Sequence, residues 1–376
     1  MPFDDLFAEA ERQLKVCNSC RYCAGYCPVW PAMELRTAMT QGDITHLSNL
    51  CHDCRDCFTA CMYTAPHEFD LNPPAIFTQV RERTYDHYVW PARVPGVLRG
   101  RGGLAVAFLA ICMLLVALNV LTTGGAVFTG PQTGSAYEMI RHLLLVAIVT
   151  VPALWSVGVM LVALARYWKD TRGQFRDLLD GRAWASCLNQ SAWMTHQTGA
   201  EEGCAYEENE PSVNRRRAHH LVMYGFLLTF VSTTSAAIEE NFFGQEPPYP
   251  YLSVPVITGT VGGIMATIGC VVLIRLKKRS DAFQTTPTMR RADYGLLWAL
   301  LVLMGSGLLV LLTRTTVAFG PMLVVHLAAV IVAFGIMPYT KFVHWNYRVL
   351  AVYKDNLERT GAPAQAHYDL SPETRA

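Results

Sequence analysis

Six stretches of this sequence contain no Asp, Glu, Lys or Arg, and no other feature restricts the fold as strongly. Each is about as long as the ~20 apolar residues that an α-helix needs to cross a bilayer. The 376-residue chain is 52% hydrophobic and only 16% charged, which is low for a water-soluble protein. We therefore predict six transmembrane helices; for the Ser- and Thr-rich third stretch, a buried core helix is the alternative. The stretches are Leu104–Leu121, Leu143–Ala165, Leu221–Ile238, Leu252–Ile274, Tyr294–Leu312 and Met322–Thr340.

The basic residues predict the orientation of these helices. Of the 31 Lys and Arg residues, the connections 122–142, 239–251 and 313–321 contain only Arg141 and Arg314. Basic connections stay on the cytoplasmic side of a membrane. We therefore expect a multi-pass protein of the inner (cytoplasmic) membrane, with both termini and the connection 166–218 in the cytoplasm. The basic runs are expected to contact membrane lipid rather than nucleic acid.

Two cysteine runs with the same spacing precede the first apolar stretch. Each has three cysteines separated by two residues and a fourth after three more, as in bacterial ferredoxins with two [4Fe–4S] clusters. In those proteins the fourth cysteine of each run binds the cluster of the other run. Zinc ribbons and disulfides are the alternatives, but zinc sites usually use two Cys-x2-Cys pairs, and a reducing cytoplasm disfavours disulfides. The predicted ligands are Cys17, Cys20, Cys23 and Cys61 for one cluster, and Cys51, Cys54, Cys57 and Cys27 for the other.

These features divide the chain into domains and predict an all-α fold. Residues 1–92 are expected to form an α-helical ferredoxin-type domain, with helices over 1–16, 34–50 (with Gly42 and Asp43 as turn residues) and 74–88. A linker at 93–103 leads to a six-helix, cytochrome b-like transmembrane haem domain at 104–345 and a cytoplasmic tail at 346–376. In the polar connection 166–218, Cys187, His196 and Cys204 fit no metal-binding spacing; this segment is expected to cover the clusters or to contact a partner.

Five histidines lie in or at the ends of the predicted membrane helices, where a histidine is a candidate functional group. His326 and His344 are 18 residues apart, which is five turns and places them on one face at opposite depths, although Pro338 can bend that helix. Two imidazoles facing each other at one depth form a site for haem b, and we expect one or two such haems. Interfacial histidines bonded to the backbone are the alternative. The candidate ligands are His142 and His326 for an outer haem, and His344 with His219 or His220 for an inner haem.

Three segments of the chain resemble the CitB/TcuB family, which includes tricarballylate utilization protein B and the C-terminal half of CobZ. They are the double cysteine run, the segment 215–220 with the Tyr-Gly-Phe at 224–226 that follows it, and the segment 338–344. The resemblance spans most of the chain. It implies a membrane subunit with iron–sulfur clusters and haem b that reoxidises the flavin of a partner dehydrogenase of the TcuA type, which converts tricarballylate to cis-aconitate. Met62 replaces the proline expected after the second run, but no ligand is lost.

Residues and resemblance together predict an electron conduit from a partner FAD-dependent dehydrogenase to quinone in the bilayer. No side chain is expected to act as a catalytic acid, base or nucleophile, because the cofactors perform the chemistry. The alternatives are the same conduit for another flavin dehydrogenase, a CobZ-like corrin-ring oxygenase, a membrane iron–sulfur redox sensor and a transporter. Charge-free spans argue against a transporter, and six helices exceed what a tethered sensor needs.

Overall fold

The computed structural model describes residues 3–98, 102–130, 135–198, 203–281 and 283–361. Within these residues the regular secondary structure is helical except for one short hairpin. The all-α prediction is therefore confirmed. Residues 99–101 of the predicted linker and 362–376 of the predicted tail lie outside the described residues. The N-terminal region contains the helices α1 Phe3–Cys20, α2 Val29–Glu34, α3 Gln41–Leu50, α4 Asp56–Thr59 and α5 Pro73–Tyr88.

Local capping decides where two of these helices begin. At the start of α3, Asp43 N donates to Thr40 Oγ1 at 3.3 Å while Thr40 N donates to Asp43 Oδ2 at 3.1 Å, which is a capping box. Asn72 accepts from Ala75 N at 3.2 Å at the start of α5, where prolines occupy the first turn. The helix predicted over 34–50 is thus too long: α2 ends at Glu34 and α3 begins only at Gln41, with Gly42 and Asp43 in its first turn.

The rest of the chain supplies nine helices within the described residues. Six of them are long and apolar enough to cross a membrane, which confirms the six predicted spans; several extend beyond the predicted ends by a few residues. The helices are α6 Val94–Leu98, α7 Gly103–Thr123, α8 His142–Asp170, α9 Gly181–Trp193, α10 Asn214–Phe243, α11 Val254–Arg279, α12 Pro287–Thr313, α13 Phe319–Ile336 and α14 His344–Gly361. The six candidate spans are α7, α8, α10, α11, α12 and α13.

The N-terminal region packs at one end of the helix bundle, which we call the domain end. Tyr88 at the end of α5 contacts Tyr167 near the end of α8, with ring centres 6.0 Å apart. Glu82 of α5 is hydrogen-bonded to Thr286, the residue before α12. Helices α8, α11 and α13 end at the domain end, and helices α7, α10 and α12 begin there.

Helix α14 completes the core of the N-terminal region. Leu14 of α1 is fully buried in the same hydrophobic cluster as Ala351 and Tyr353 of α14. Arg36 binds Glu358 at 2.7 Å, with only 6% of the Arg36 side chain exposed. The described part of the predicted tail is therefore a packed helix, because its apolar face belongs to the core of the N-terminal region.

Glycines let α10 and α11 approach closely. A Cβ atom added to Gly225 would lie 2.6 Å from Ala266 N and 2.7 Å from Gly262 O. One added to Gly269 would lie 2.8 Å from Ala218 O. Small residues at helix contacts permit this backbone approach inside a membrane.

The sixth span does not continue as a helix to His344. Helix α13 ends at Ile336, and two short 3-10 turns, Met337–Tyr339 and Lys341–Val343, precede α14. Pro338 lacks the N–H that a continuing helix would use. Contrary to the prediction, His326 and His344 therefore do not share one face of a continuous five-turn helix, because the two 3-10 turns set their relative direction.

The connection after α8 covers the cysteine-rich region. It contains α9 and an antiparallel hairpin of β1 Cys204–Glu207 and β2 Glu210–Ser212, which was not predicted. Ala205 N of the hairpin donates to Asp56 Oδ1 at 2.7 Å. Cys187 of α9 is buried in the core shared with α14. The segment therefore lies against the cysteine-rich region, and its contact with a partner stays a prediction.

Candidate metal centres

The first group of cysteines lines one cleft at the end of α1. Cys17 and Cys20 lie in the last turn of α1, Cys23 in the loop that follows and Cys61 after α4, and all four line the cleft. Burial raises the pKa of the Cys17 thiol to about 12, and the neighbouring thiols of Cys61, Cys23 and Cys20 act in the same direction. The four side chains predicted for the first cluster are thus brought together.

The second group, Cys27, Cys51, Cys54 and Cys57, is more deeply buried. Burial raises the pKa of Cys27, and among its neighbouring thiols Cys51 contributes most. Burial also raises the pKa of Cys57, with Cys27 and Cys51 as the thiols that add most. Cys27 belongs to the first run but lies among the thiols of the second, as an exchange of fourth ligands requires.

The donor set fits two iron–sulfur clusters. Five of the thiols have raised pKa values, which keep them protonated until a metal displaces the protons, because thiolates are the metal ligands; they are Cys17, Cys23, Cys27, Cys54 and Cys57. Backbone N–H groups point at two of the sulfurs: Tyr63 N donates to Cys61 Sγ at 3.4 Å, and Val29 and Trp30 donate to Cys27. Such donors are one means by which a protein sets a cluster potential. In the described ranges no three or more His, Cys, Asp or Glu side chains stand close enough together to hold a metal ion as they are; a cubane holds its cysteines farther apart than a single ion does.

A ninth cysteine lies beside the second group. Cys54 and Cys204 are hydrogen-bonded, and this contact is the largest cause of the raised pKa of Cys54, ahead of burial. Both residues are buried with Tyr206 in a small cluster of their own. Cys204 was not predicted as a site residue, because its spacing from the other cysteines along the chain matches no metal-binding motif. Only the fold of the hairpin brings it to Cys54.

Positive charges surround the Tyr206 ring next to the second group. The Arg55 and Arg215 guanidinium carbons lie 4.4 and 4.2 Å from the ring centre, and Lys277 Nζ lies 5.8 Å from it. Lys277 Nζ also donates to the Tyr206 hydroxyl at 3.1 Å. Cations close to a cluster stabilise the electron that it gains on reduction, so they raise its reduction potential.

His219 and His344 face each other at the domain end of the bundle. Their ring centres are 6.2 Å apart and the rings are nearly perpendicular, at 80°. A metal–imidazole bond of about 2 Å and ~1 Å from nitrogen to ring centre put two rings that share one metal about 6 Å apart. His344 Nδ1 is hydrogen-bonded to Lys341 O at 2.6 Å, which leaves Nε2 for a ligand. The pair has the spacing of a bis-histidine site.

His220 takes a different direction from its neighbour. Its ring stacks on Tyr224 with centres 5.8 Å apart, and it hydrogen-bonds the backbone at Ala192 and Trp193, at the end of α9. The sequence left His219 and His220 as equal alternatives for the inner site. The structure brings His219, and not His220, to His344.

The two histidines predicted for an outer site have different partners. His142 Nε2 lies 3.2 Å from Glu240 Oε1, and its ring contacts Tyr137. His326 Nδ1 shares a hydrogen bond of 3.1 Å with Ser306 Oγ of α12. An outer bis-histidine pair therefore stays a prediction.

Two comparisons with known proteins match nearly the whole chain. Residues 10–87 match the family domain described as "Citrate utilization protein B Fer4-like domain", and residues 97–365 match "Citrate utilization protein B". The chain is 33% identical over 353 residues to the Escherichia coli protein of that name, covering 94% of this chain and 92% of the relative. No solved structure matches. The chain belongs to the citrate utilization protein B family.

Proposed function

We propose that this protein is the membrane electron-transfer subunit of a tricarboxylate-oxidising system. It reoxidises the reduced flavin of a partner FAD-dependent dehydrogenase and delivers the electrons to the quinone pool. Two [4Fe–4S] clusters and haem b, when bound, carry these electrons singly. The family and the citrate-utilization name of the Escherichia coli relative support the tricarboxylate class, and tricarballylate is the substrate that the sequence resemblance implies for a TcuA-like partner.

One contact carries the proposal above all others. Arg348 donates to the backbone carbonyl of Cys51 at 2.8 Å, and it lies one helical turn after His344 in α14. The helix that begins at a candidate haem ligand thus binds a candidate cluster ligand directly. This proximity supports electron transfer from the second cysteine group to the His219–His344 pair.

Differences in exposure support a direction of flow. In the first group Cys20 is exposed, and Tyr22 and Met62 beside it are 60% and 66% exposed. In the second group Cys51 and Cys54 are buried. We propose that the flavoprotein docks at the first group, since Cys20 is the exposed cysteine among the eight, and that electrons leave through the second group.

The basic connections lie at the domain end of the bundle, which supports a cytoplasmic location for it. The chain's own residues bind and orient the cofactors, and Arg55, Arg215 and Lys277 stabilise charge beside the second group. The cytoplasmic docking of a soluble flavoprotein is compatible with this orientation.

Anaerobic purification followed by metal and spectral analysis tests the proposal. We expect about eight cluster irons per chain with matching acid-labile sulfide, together with b-type haem bands in reduced-minus-oxidised spectra. A reduced flavoprotein partner should reduce these centres, and quinone should reoxidise them. A preparation rich in zinc, without sulfide and without haem, would refute the proposal.

A further inference from the structure

We propose that a cavity at the domain end of the bundle is the binding site for the head group of a membrane quinone. The cavity has a volume of about 520 Å³ and lies between the first halves of α7 and α12, the end of α13 and the turns that follow it. Its size falls within the ~300–1,000 Å³ range of small-molecule sites. The inference deepens the proposed function, on which the identity of the acceptor rests.

The lining has the polarity that a quinone requires. Phe108, Leu303 and Val332 line its apolar part, whereas Arg291, Thr340 and Lys341 line the domain end. A quinone has an apolar isoprenoid tail and a ring with two carbonyl acceptors, so it needs an apolar channel that ends at hydrogen-bond donors. The cavity combines the two.

The cavity opens towards the bilayer. Trp298 and Val302 line it and are 55% and 41% exposed on the lipid-facing surface of a candidate membrane span. A ligand that is dissolved in the membrane can therefore enter sideways without crossing water.

Lys341 connects the cavity to the histidine pair. Its ammonium group forms an ion pair with Asp293, which leaves further N–H donors on a group that carries three. Its backbone carbonyl is bound by His344 Nδ1 at 2.6 Å. One residue thus offers a donor to a quinone carbonyl and orients a candidate haem ligand.

The cavity is separate from the proposed haem site. No histidine lines it, so it offers no imidazole to a haem iron. Phe342 forms part of its wall, two residues before His344. The wall of the cavity is thus two residues along the chain from a member of the histidine pair.

The electron and proton balance closes with the flavin as reductant. Oxidation of the flavin hydroquinone releases two electrons and two protons, and reduction of the quinone to the quinol consumes two of each. The electrons pass through the chain one at a time. The protons come from water at the domain end, where Lys341 and Asp293 lie.

A glycine in the cavity wall gives a specific test. A Cβ atom added to Gly295 meets no atom within 4 Å, so Gly295→Leu places its side chain in the open cavity. Gly305 lies on the same helix, is also free of contacts within 4 Å of a new Cβ and does not line the cavity, so Gly305→Leu is the matched control. Binding of ubiquinone with two isoprene units to the purified protein in nanodiscs is measured by quenching of tryptophan fluorescence.

We expect Gly295→Leu to weaken quinone binding at least tenfold and Gly305→Leu to leave it within twofold of wild type. In the wild-type protein, an azido-quinone should crosslink to peptides of α12 or of residues 337–343. Equal binding by both variants, or crosslinks confined to other segments, would overturn the inference. Displacement of the quinone by phosphatidylglycerol at the same concentration would also overturn the inference, because it would identify the cavity as a lipid-binding groove.

The proposed function and this quinone site can be refuted independently of each other. A protein without clusters and haem would refute the conduit, whereas the binding measurement would still stand because it needs no bound cofactor. Conversely, reoxidation of the reduced wild-type and Gly295→Leu proteins by quinone at the same rate would support the proposed electron conduit and refute the proposed quinone site.

Discussion

Adjacent residues in this chain have different surroundings, and those surroundings decide which of them can bind a cofactor. His219 and His220 are neighbours on α10, but 100° per residue along a helix turns their side chains to different sides. His219 meets His344, whereas His220 meets Tyr224 and the end of α9. The same holds for cysteines: Cys23 and Cys27 belong to one run but lie in different groups.

We predict that His344→Ala removes the haem next to the clusters and that His220→Ala retains it. Loss of one axial imidazole leaves the iron without its second strong ligand, whereas His220 contacts only protein. The haem-to-protein ratio from pyridine haemochrome spectra measures the difference. Equal haem content in the two variants would mean that α14 supplies no ligand.

We predict that Cys27→Ser and Cys54→Ser perturb the same cluster, while Cys17→Ser perturbs the other. The reason is the exchange of fourth ligands, since Cys27 lies among the thiols of the second run. Electron paramagnetic resonance of the partly reduced variants separates the two clusters. Cys112→Ser, in α7 and remote from both groups, is the control and should have the wild-type spectrum. A Cys27→Ser spectrum that matches that of Cys17→Ser would contradict the exchange.

We predict that His46 makes the stability of the N-terminal region sensitive to acid. Burial first, and then Arg36 and Lys354, hold the pKa of this fully buried imidazole well below 6.5. The unfolded chain therefore takes up a proton below pH 6.5 that the folded chain does not, so stability falls as the pH drops, by up to about 1.4 kcal/mol per pH unit. We expect the difference in melting temperature between pH 7.5 and 5.5, measured by scanning fluorimetry, to be smaller in His46→Gln than in wild type. The same change in melting temperature between these two pH values in wild type and His46→Gln would show that His46 does not contribute to the acid sensitivity.

At the scale of helices, close packing of α10 on α11 is the feature most sensitive to substitution. We predict that Gly225→Ala destabilises the bundle by about 3 kcal/mol, because the new Cβ would meet backbone atoms of α11. Gly158→Ala, on α8, is the matched control, since a Cβ there has no neighbour within 4 Å. Thermal melting of the detergent-solubilised variants, followed by size-exclusion chromatography, measures the effect. Similar melting temperatures of the Gly225→Ala and Gly158→Ala variants would refute tight packing between α10 and α11.

The elements that were predictable from the sequence are those set by local pattern. The six spans follow from uninterrupted apolar residues, and the two cysteine runs follow from their spacing. The position of His344 was not predictable in this way, because two 3-10 turns after Ile336 redirect the chain. Cys204 and α14 were missed for another reason: Cys204 meets Cys54, and Tyr353 shares a core with Leu14, only through contacts between distant parts of the chain.

At the scale of the whole molecule, the arrangement of charges predicts the side of the membrane on which each connection lies. We expect a cysteine introduced at Gln245, between α10 and α11, to react with a membrane-impermeant maleimide in intact cells. A cysteine introduced at Phe283, which is 85% exposed between α11 and α12, should react only after the membrane is opened. The reverse pattern would invert the topology and place the two cysteine groups outside the cell.

The packing of α14 on the N-terminal region has a consequence for the order of biosynthesis. Helix α1 leaves the ribosome before the six candidate spans, yet the core that buries Leu14 also contains Tyr353 of α14. We therefore expect the core of the N-terminal region to be completed only after all six candidate spans have been synthesised. During that interval we expect its cysteines to stay accessible to the proteins that deliver iron and sulfide, and we expect α14 to close the core beside them when it arrives last.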